Sequence, residues 1–189
     1  MHSAIPDFRL CCAAAVVALV APSAAFAAES GAQAAHGQAA ARVIAPLAVT
    51  AIQDLDFGTV SVAAGMGGSV EVLTGGAAPR YLGAAGLPCS AGGGCSPHPA
   101  KFVVSGEPGR RYRVDIPAIA DAKGSAANAA HLLVADLHVR SASLAGADAA
   151  GMLDGSGSDE FEIGGTLQIP AGTTADHYTA KIPVIVTYG

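Results

Sequence analysis

The chain has 189 residues, a net charge of −5, 13% charged residues, 5% aromatics and no tryptophan. A mildly acidic chain without a basic cluster argues against a nucleic-acid or anionic-membrane surface, and its length allows one domain with a real core. Arg110, Arg111 and Arg113 form the only extended charge group, which reads as a solvated strand edge.

Residues 1–27 have the pattern of a cleavable export signal. Arg9 supplies a weak positive start, Leu10 to Ala21 is an apolar run too short to span a bilayer, and Ala25-Phe26-Ala27 fits a small-x-small cleavage site. Cys11 and Cys12 lie in the removed part. The mature chain then runs from Ala28 to Gly189. It loses Asp7 and Arg9 together and so keeps its net charge of −5. Its location is expected to be the periplasm, the cell surface or the medium, with no membrane contact after cleavage.

Residues 28–41 (AESGAQAAHGQAAA) are small, polar and aperiodic, and read as a flexible extension ahead of a domain at 42–189. From there the pattern is β. Val43, Leu47 and Val49 share a face at period two. Leu55 and Phe57, then Val60 and Val62, continue across Gly58, where a bulge would shift the facing by one residue. Val70 and Val72 mark another strand. Gly75 to Pro99 reads as a long loop, or a strand interrupted by excursions. It holds Cys89 and Cys95, with three glycines among the residues between them. In an oxidising compartment this spacing predicts a small disulfide loop. A redox pair would more typically read C-x-x-C, and adding His98 makes only a weak zinc signal.

Lys101–Ser105 and Arg111–Ile116 flank Gly106-Glu107-Pro108-Gly109 and predict a β-hairpin, with Tyr112, Val114 and Ile116 on its inner face. Residues 121–130 read as a soft loop. Leu132 to Val139 is a strand with Leu133, Ala135, Leu137 and Val139 alternating, or a short helix. Gly146 to Gly157 reads as loop. Phe161, Ile163, Leu167 and Ile169 bracket Gly164-Gly165 in a kinked strand or a hairpin. The final segment places Tyr178, Ala180, Ile182, Val184, Val186 and Tyr188 on one face, and Pro183 implies a sheet edge or a break in pairing there. Some eight short strands with little helical periodicity predict an all-β, immunoglobulin-like or pilin-like antiparallel sandwich with a core of Val, Ile, Leu and Ala.

No catalytic motif emerges: there is no G-x-S-x-G, H-E-x-x-H or P-loop. Among His36, His98, His131, His138 and His177 no metal spacing recurs, and His131 and His138 fall on opposite faces of a regular strand. Asp154, Ser156 and Ser158 imitate the start of a calcium loop, but Asp159 stands where its glycine belongs and Gly165 where its glutamate belongs, so a solvated turn is favoured. Asp54, Asp56 and Asp136 have no evident carboxylate partner. The expectation is a non-enzymatic protein without cofactor or metal.

Two resemblances rest on motifs taken in order. A penultimate Tyr188 after alternating apolar residues, together with Leu55-Asp56-Phe57-Gly58, is similar to subunits of chaperone–usher pili, though Gly172 and Pro183 depart from their C-terminal motif. A closer resemblance, over roughly 43–189, is to the exported DUF4402 family. It is carried by Leu55–Gly58, Phe102 to Gly109 running on to Tyr112-Arg-Val114, Gly164-Gly-Thr-Leu167, and Val184-Ile-Val-Thr-Tyr188. The family has no assigned activity, and the Cys89–Cys95 segment is not part of its pattern. The resemblance implies an exported sandwich of fimbria-like character. Ile182, Val184, Val186 and Tyr188 are expected to form a C-terminal core strand or a strand-exchange element, with like subunits or a periplasmic chaperone as partners. The alternative is a self-contained binding module. Whether residues 42–52 pair within the chain or with a neighbour stays open at this point.

Overall fold

The computed structural model describes residues 38–88, 96–127 and 130–189. The signal segment 1–27, most of the extension 28–41, and Cys89 and Cys95 with their expected disulfide lie outside the described residues. The compact unit Arg42–Gly189 carries the fold.

Among the described residues thirteen strands follow in order: β1 (Ala48–Gln53), β2 (Ser61–Val62), β3 (Gly68–Val72), β4 (Arg80–Gly83), β5 (Ala85–Gly86), β6 (Ala100–Ser105), β7 (Arg111–Asp115), β8 (Ala120–Gly124), β9 (His131–Ser141), β10 (Ala150–Met152), β11 (Ser158–Ile169), β12 (Tyr178–Ala180) and β13 (Ile185–Tyr188). No helix occurs among the described residues, and every pairing is antiparallel. The fold is the all-β sandwich the alternation predicts.

The large sheet runs β1-β6-β11-β9-β8-β12, with β3 and then β4 also attached to β11. Strand β11 organises it. Its first half, Ser158 to Ile163, pairs with β6, and its second half, Gly165 to Ile169, pairs with β3. The handover falls at Gly164-Gly165, where a Cβ on Gly164 would strike the Val72 carbonyl and one on Gly165 would crowd Leu137. The segment is therefore a kinked strand and not a hairpin. The small sheet, β10-β7-β13, covers the β6 half of the large one.

Two apolar clusters fill the sandwich. One holds Ala100, Val104, Tyr112, Val114, Leu153, Phe161 and Ile163. At its centre Phe102 and Phe161, opposite one another on β6 and β11, stack at 4.9 Å, and Tyr112 tilts against Phe161 at 6.5 Å. The other holds Val70, Ala120, Ala122, Leu132, Val134, Leu167 and Ile169. Leu137 packs against both.

Several expectations need correction. The strands flanking Gly106–Gly109 do not form a hairpin: β6 lies in the large sheet and β7 in the small one. The turn is an arch between layers: the chain leaves β6, which pairs with β1 and β11, and crosses to β7, which pairs with β10 and β13. Residues 121–130 are not all loop, since β8 inserts Ala120 and Ala122 between outward Asp121 and Lys123. Small inward residues gave that strand too little hydrophobic signal. Likewise β10 interrupts the loop expected at 146–157, whereas β4 and β5 within 75–99 fit the interrupted strand that was one of the two alternatives for that stretch.

Residues 132–139 are strand, but the facing inverts midway. Leu132 and Val134 point inward before Asp136, and Leu137 and Val139 after it. Asp136 takes φ of 51°, a left-handed conformation, and the ladder to β11 shifts register there. Leu133 thus turns outward. The same inversion brings His131 and His138 to one face instead of two, yet the strand between them keeps them roughly 23 Å apart.

Candidate functional site

The terminal strand is where the sandwich stays open. Tyr178–Ala180 pairs with β8 in the large sheet and Ile185–Tyr188 pairs with β7 in the small one. The chain changes sheets between them, and its antiparallel companion does the same over Ile116 to Asp121. Six residues on that side face four, Lys181 to Val184, on the other, so the ladder cannot continue. Pro117 and Pro183 contribute no N–H at this level. Lys181–Val184 belongs to no strand.

Along 176–189 half-covered residues alternate strictly with exposed ones. Val184, Val186 and Tyr188 pack against the Phe161 cluster, and Tyr178, Ala180 and Ile182 against the Val134 cluster. None of the six is fully buried. The inward face expected for Ile182, Val184, Val186 and Tyr188 is present, but the layer above it is incomplete. A groove of about 1010 Å³ opens there, floored by Phe102, Ile163, Leu132, Val134, Leu167 and Ile169 and flanked by Ile182 and Val184.

The segment Asp54–Val62 forms the groove's other flank. Leu55 reaches one cluster, while Phe57, Val60 and Val62 reach the other. The change of facing occurs at Gly58, whose φ is 68° and whose N–H is held by Asp56 Oδ1 at 2.7 Å. The backbone is tied down only sparsely, by the Asp56–His98 bridge (3.0 and 2.8 Å) and the two-residue β2–β5 pairing.

The rim is polar. His98 Nε2 stands 3.8 Å from Asp56 Oδ2, and His98 Nδ1 is buried without a hydrogen-bond partner among the described residues. Asp176 accepts hydrogen bonds from the Ala126 N–H (2.9 Å), the Ser125 hydroxyl and the His177 N–H (2.7 Å), which hold its carboxyl below the usual range. Three wall hydroxyls are committed: Ser61 donates to the Gly86 carbonyl (3.1 Å), Thr173 to that of Pro170 (2.7 Å) and Tyr178 to that of Thr174 (2.9 Å). The arrangement suits an extended apolar guest with a positive group at the rim. No cluster of three or more metal-type side chains occurs among the described residues. The calcium-like loop is a self-clamped turn. Asp154 Oδ1 accepts from the Ser156 hydroxyl (2.7 Å), the Ser156 N–H (2.8 Å) and the Ser158 N–H (2.9 Å), which lowers its pKa.

A second constellation went unseen in the sequence. The Tyr188 hydroxyl donates to the Ala45 carbonyl (2.6 Å) and accepts from the Glu107 N–H (2.8 Å). The Glu107 carboxylate in turn takes the Ala45 N–H (3.2 Å) and Arg42, and Arg110 lies 5.3 Å over the Tyr188 ring. This latch binds the start of the domain to its end through the arch at Gly106, whose missing side chain leaves room for the Tyr188 hydroxyl. Beyond it β1 pairs with β6, so residues 48–53 are paired within the chain, while 42–47 lie in no strand. The apolar face of 42–52 is not core, however: Val43 is 94% exposed and Val49 40%, and only Leu47 is partly covered. No sequence signal marks the latch, because its partners lie at opposite ends of the domain.

The motif segments thus occupy linked places. Leu55 and Phe57 join the two clusters, Gly106 to Tyr112 forms the arch and its strand, Gly164-Gly165 the handover in β11, and Tyr188 the latch. No curated protein and no solved structure matches the chain. The family described as Domain of unknown function (DUF4402) matches residues 47–188, nearly the whole sandwich, and the chain belongs to that family.

Proposed function

We propose that this chain is a non-enzymatic exported structural or surface subunit that receives an extended segment of another polypeptide by strand addition. The observation that carries this reading is the terminal strand: six inward side chains, none fully covered, beside backbone in no ladder and a groove with an apolar floor and a polar rim. Strand addition supplies what such a flank lacks, backbone hydrogen bonds along the edge and alternate side chains for the pockets. The export pattern of residues 1–27 and the similarity to pilus subunits support a place outside the cytoplasm, with like subunits or a periplasmic chaperone as partners.

The test is size-exclusion chromatography with light scattering on mature protein (28–189), alone and co-expressed with a periplasmic chaperone. The expected result is a concentration-dependent assembly, or a stable 1:1 chaperone complex. A strictly monomeric chain that ignores the chaperone would overturn the proposal. A second reading, a self-contained binding module, is favoured by the in-chain pairing of β1 and by the latch. It calls for a monomer whose melting temperature rises with an elongated apolar ligand.

A further inference from the structure

We infer that the outer face of the large sheet holds a binding site for an amino-sugar unit of a glycan, built from Ser69, Glu71, Leu82, Asp136, Thr166 and Gln168. The site lies on the side of the sheet away from the groove and is independent of strand addition. Strand register assembles it. Val70, Leu167 and Val134 point into the core, so their neighbours along β3, β11 and β9 point out. Two rows cross the sheet there: Leu82, Ser69, Gln168 and Leu133 in one, and Arg80, Glu71, Thr166 and Ala135 in the next. Sheet geometry sets about 4.8 Å between neighbouring strands and about 6.7 Å between the rows. Ser69 and Thr166 are short, and a shallow depression of about 580 Å³ opens among Leu82, Glu71, Gln168 and Asp136.

Asp136 reaches the depression through a strained backbone. Its φ of 51° falls where the register between β9 and β11 shifts, and its carbonyl is met by His138 Nδ1 at 3.0 Å. A left-handed aspartate can offset its strain with a local side-chain hydrogen bond. This carboxylate is exposed and makes none among the described residues, and the side chains of Ser69, Thr166 and Gln168 are equally uncommitted there. Bulges re-aim side chains beside binding sites, and strain that local bonding does not explain is common at ligand clamps.

The lining selects the ligand. Two hydroxyls and an amide both donate and accept, while the carboxylates only accept. A hydroxyl-rich ligand uses both kinds of group, whereas a metal ion would use acceptors alone. Leu82, 57% exposed, offers an apolar surface to the C–H face of a sugar ring. Arg80 stands 3.5 Å from Glu71 and offsets its charge, which leaves the Asp136 carboxylate uncompensated. That carboxylate repels acidic sugars and complements an ammonium group.

The experiment titrates mature protein with short glucosamine oligomers and with their N-acetylated counterparts, which keep the ring hydroxyls and lose the charge. Calorimetry at about pH 6 keeps the amine protonated and the carboxylates ionised. The glucosamine oligomer should bind, and the acetylated one at least ~10-fold more weakly. Asp136→Asn should fold, since asparagine also tolerates a left-handed φ, and should bring the two oligomers close to parity. Gln168→Ala should weaken both. Asp148→Asn removes the same charge from a loop outside the site and should bind like wild type. Wild type that binds neither oligomer, or both equally, overturns the inference, and so does an equal loss in D136N and D148N. Amide shifts in NMR spectra of wild type decide without any variant. They should centre on residues 69–71, 136 and 166–168. Shifts centred on Asp54, Asp56 and Asp176 would place the oligomer at the groove and refute the site.

Discussion

Replacing Tyr188 by phenylalanine isolates the latch from the packing around it. The ring keeps its place against Val186's cluster and under Arg110, while the hydroxyl loses its bonds to the Ala45 carbonyl and the Glu107 N–H. Each such bond contributes about 0.5–1.5 kcal/mol net, so Y188F should cost about 1–3 kcal/mol. For a domain of this size, about 2 kcal/mol lowers the melting temperature by roughly 4–8 °C. Tyr188→Ala removes the half-buried ring as well and should cost about 3–5 kcal/mol. Chemical denaturation of the mature protein measures both, and native-state hydrogen exchange should show the Glu107 amide exchanging faster in Y188F. A Y188F variant as stable as wild type would refute the latch as described, because its bonds would then be isoenergetic with those to water. In a double-mutant cycle Glu107→Gln should couple to Y188F, since both act on Ala45.

Gly151→Ala should destabilise by about 1–3 kcal/mol, because its Cβ would enter the ring of Tyr112, a fully buried residue held by Asp159 at 2.8 Å; thermal melts check this. Gly164→Ala should cost more than Gly109→Ala, since the first meets the Val72 carbonyl and the second only open space at φ 71°; denaturation of the pair gives the order. Burial, and then the bond to Asp159, pushes the Tyr112 hydroxyl well above 10.0. A raised folded-state pKa gives stability that is full below pH 10 and lost as pH rises beyond it, so Tyr112→Phe should flatten the alkaline limb of a pH–stability profile. Asp154 and Asp176 have the opposite sign, their carboxyls held below the ordinary 3.8 by donor N–H and hydroxyl groups. Their contribution is present above about pH 4 and disappears as pH falls through the lowered value. Asp154→Ala and Asp176→Ala should therefore shallow the acid limb and leave stability at pH 7–9 parallel to wild type.

How much was legible follows from what alternation can encode. The period-two pattern at 112–116, 161–169 and 178–188 by itself determined an antiparallel all-β domain and the inward face of its last strand, since side chains on a strand must alternate. Gly58 and Pro183 located a change of facing and a break in pairing, because left-handed φ and a missing N–H are properties of single residues. Pairing partners are not. Gly106–Gly109 reads locally as a hairpin turn, and only the pairing of β6 with β1 and β11, and of β7 with β10 and β13, makes it an arch between sheets. Asp136 inverts β9 through a left-handed conformation that an aspartate does not announce, and Ala120 and Ala122 are too small to betray a strand. The open flank needed the tertiary structure most. It arises where both members of a strand pair cross between sheets, with Ile116 to Asp121 on one side opposed to the shorter Lys181 to Val184 on the other. A mismatch in count between segments so distant along the chain leaves no local trace.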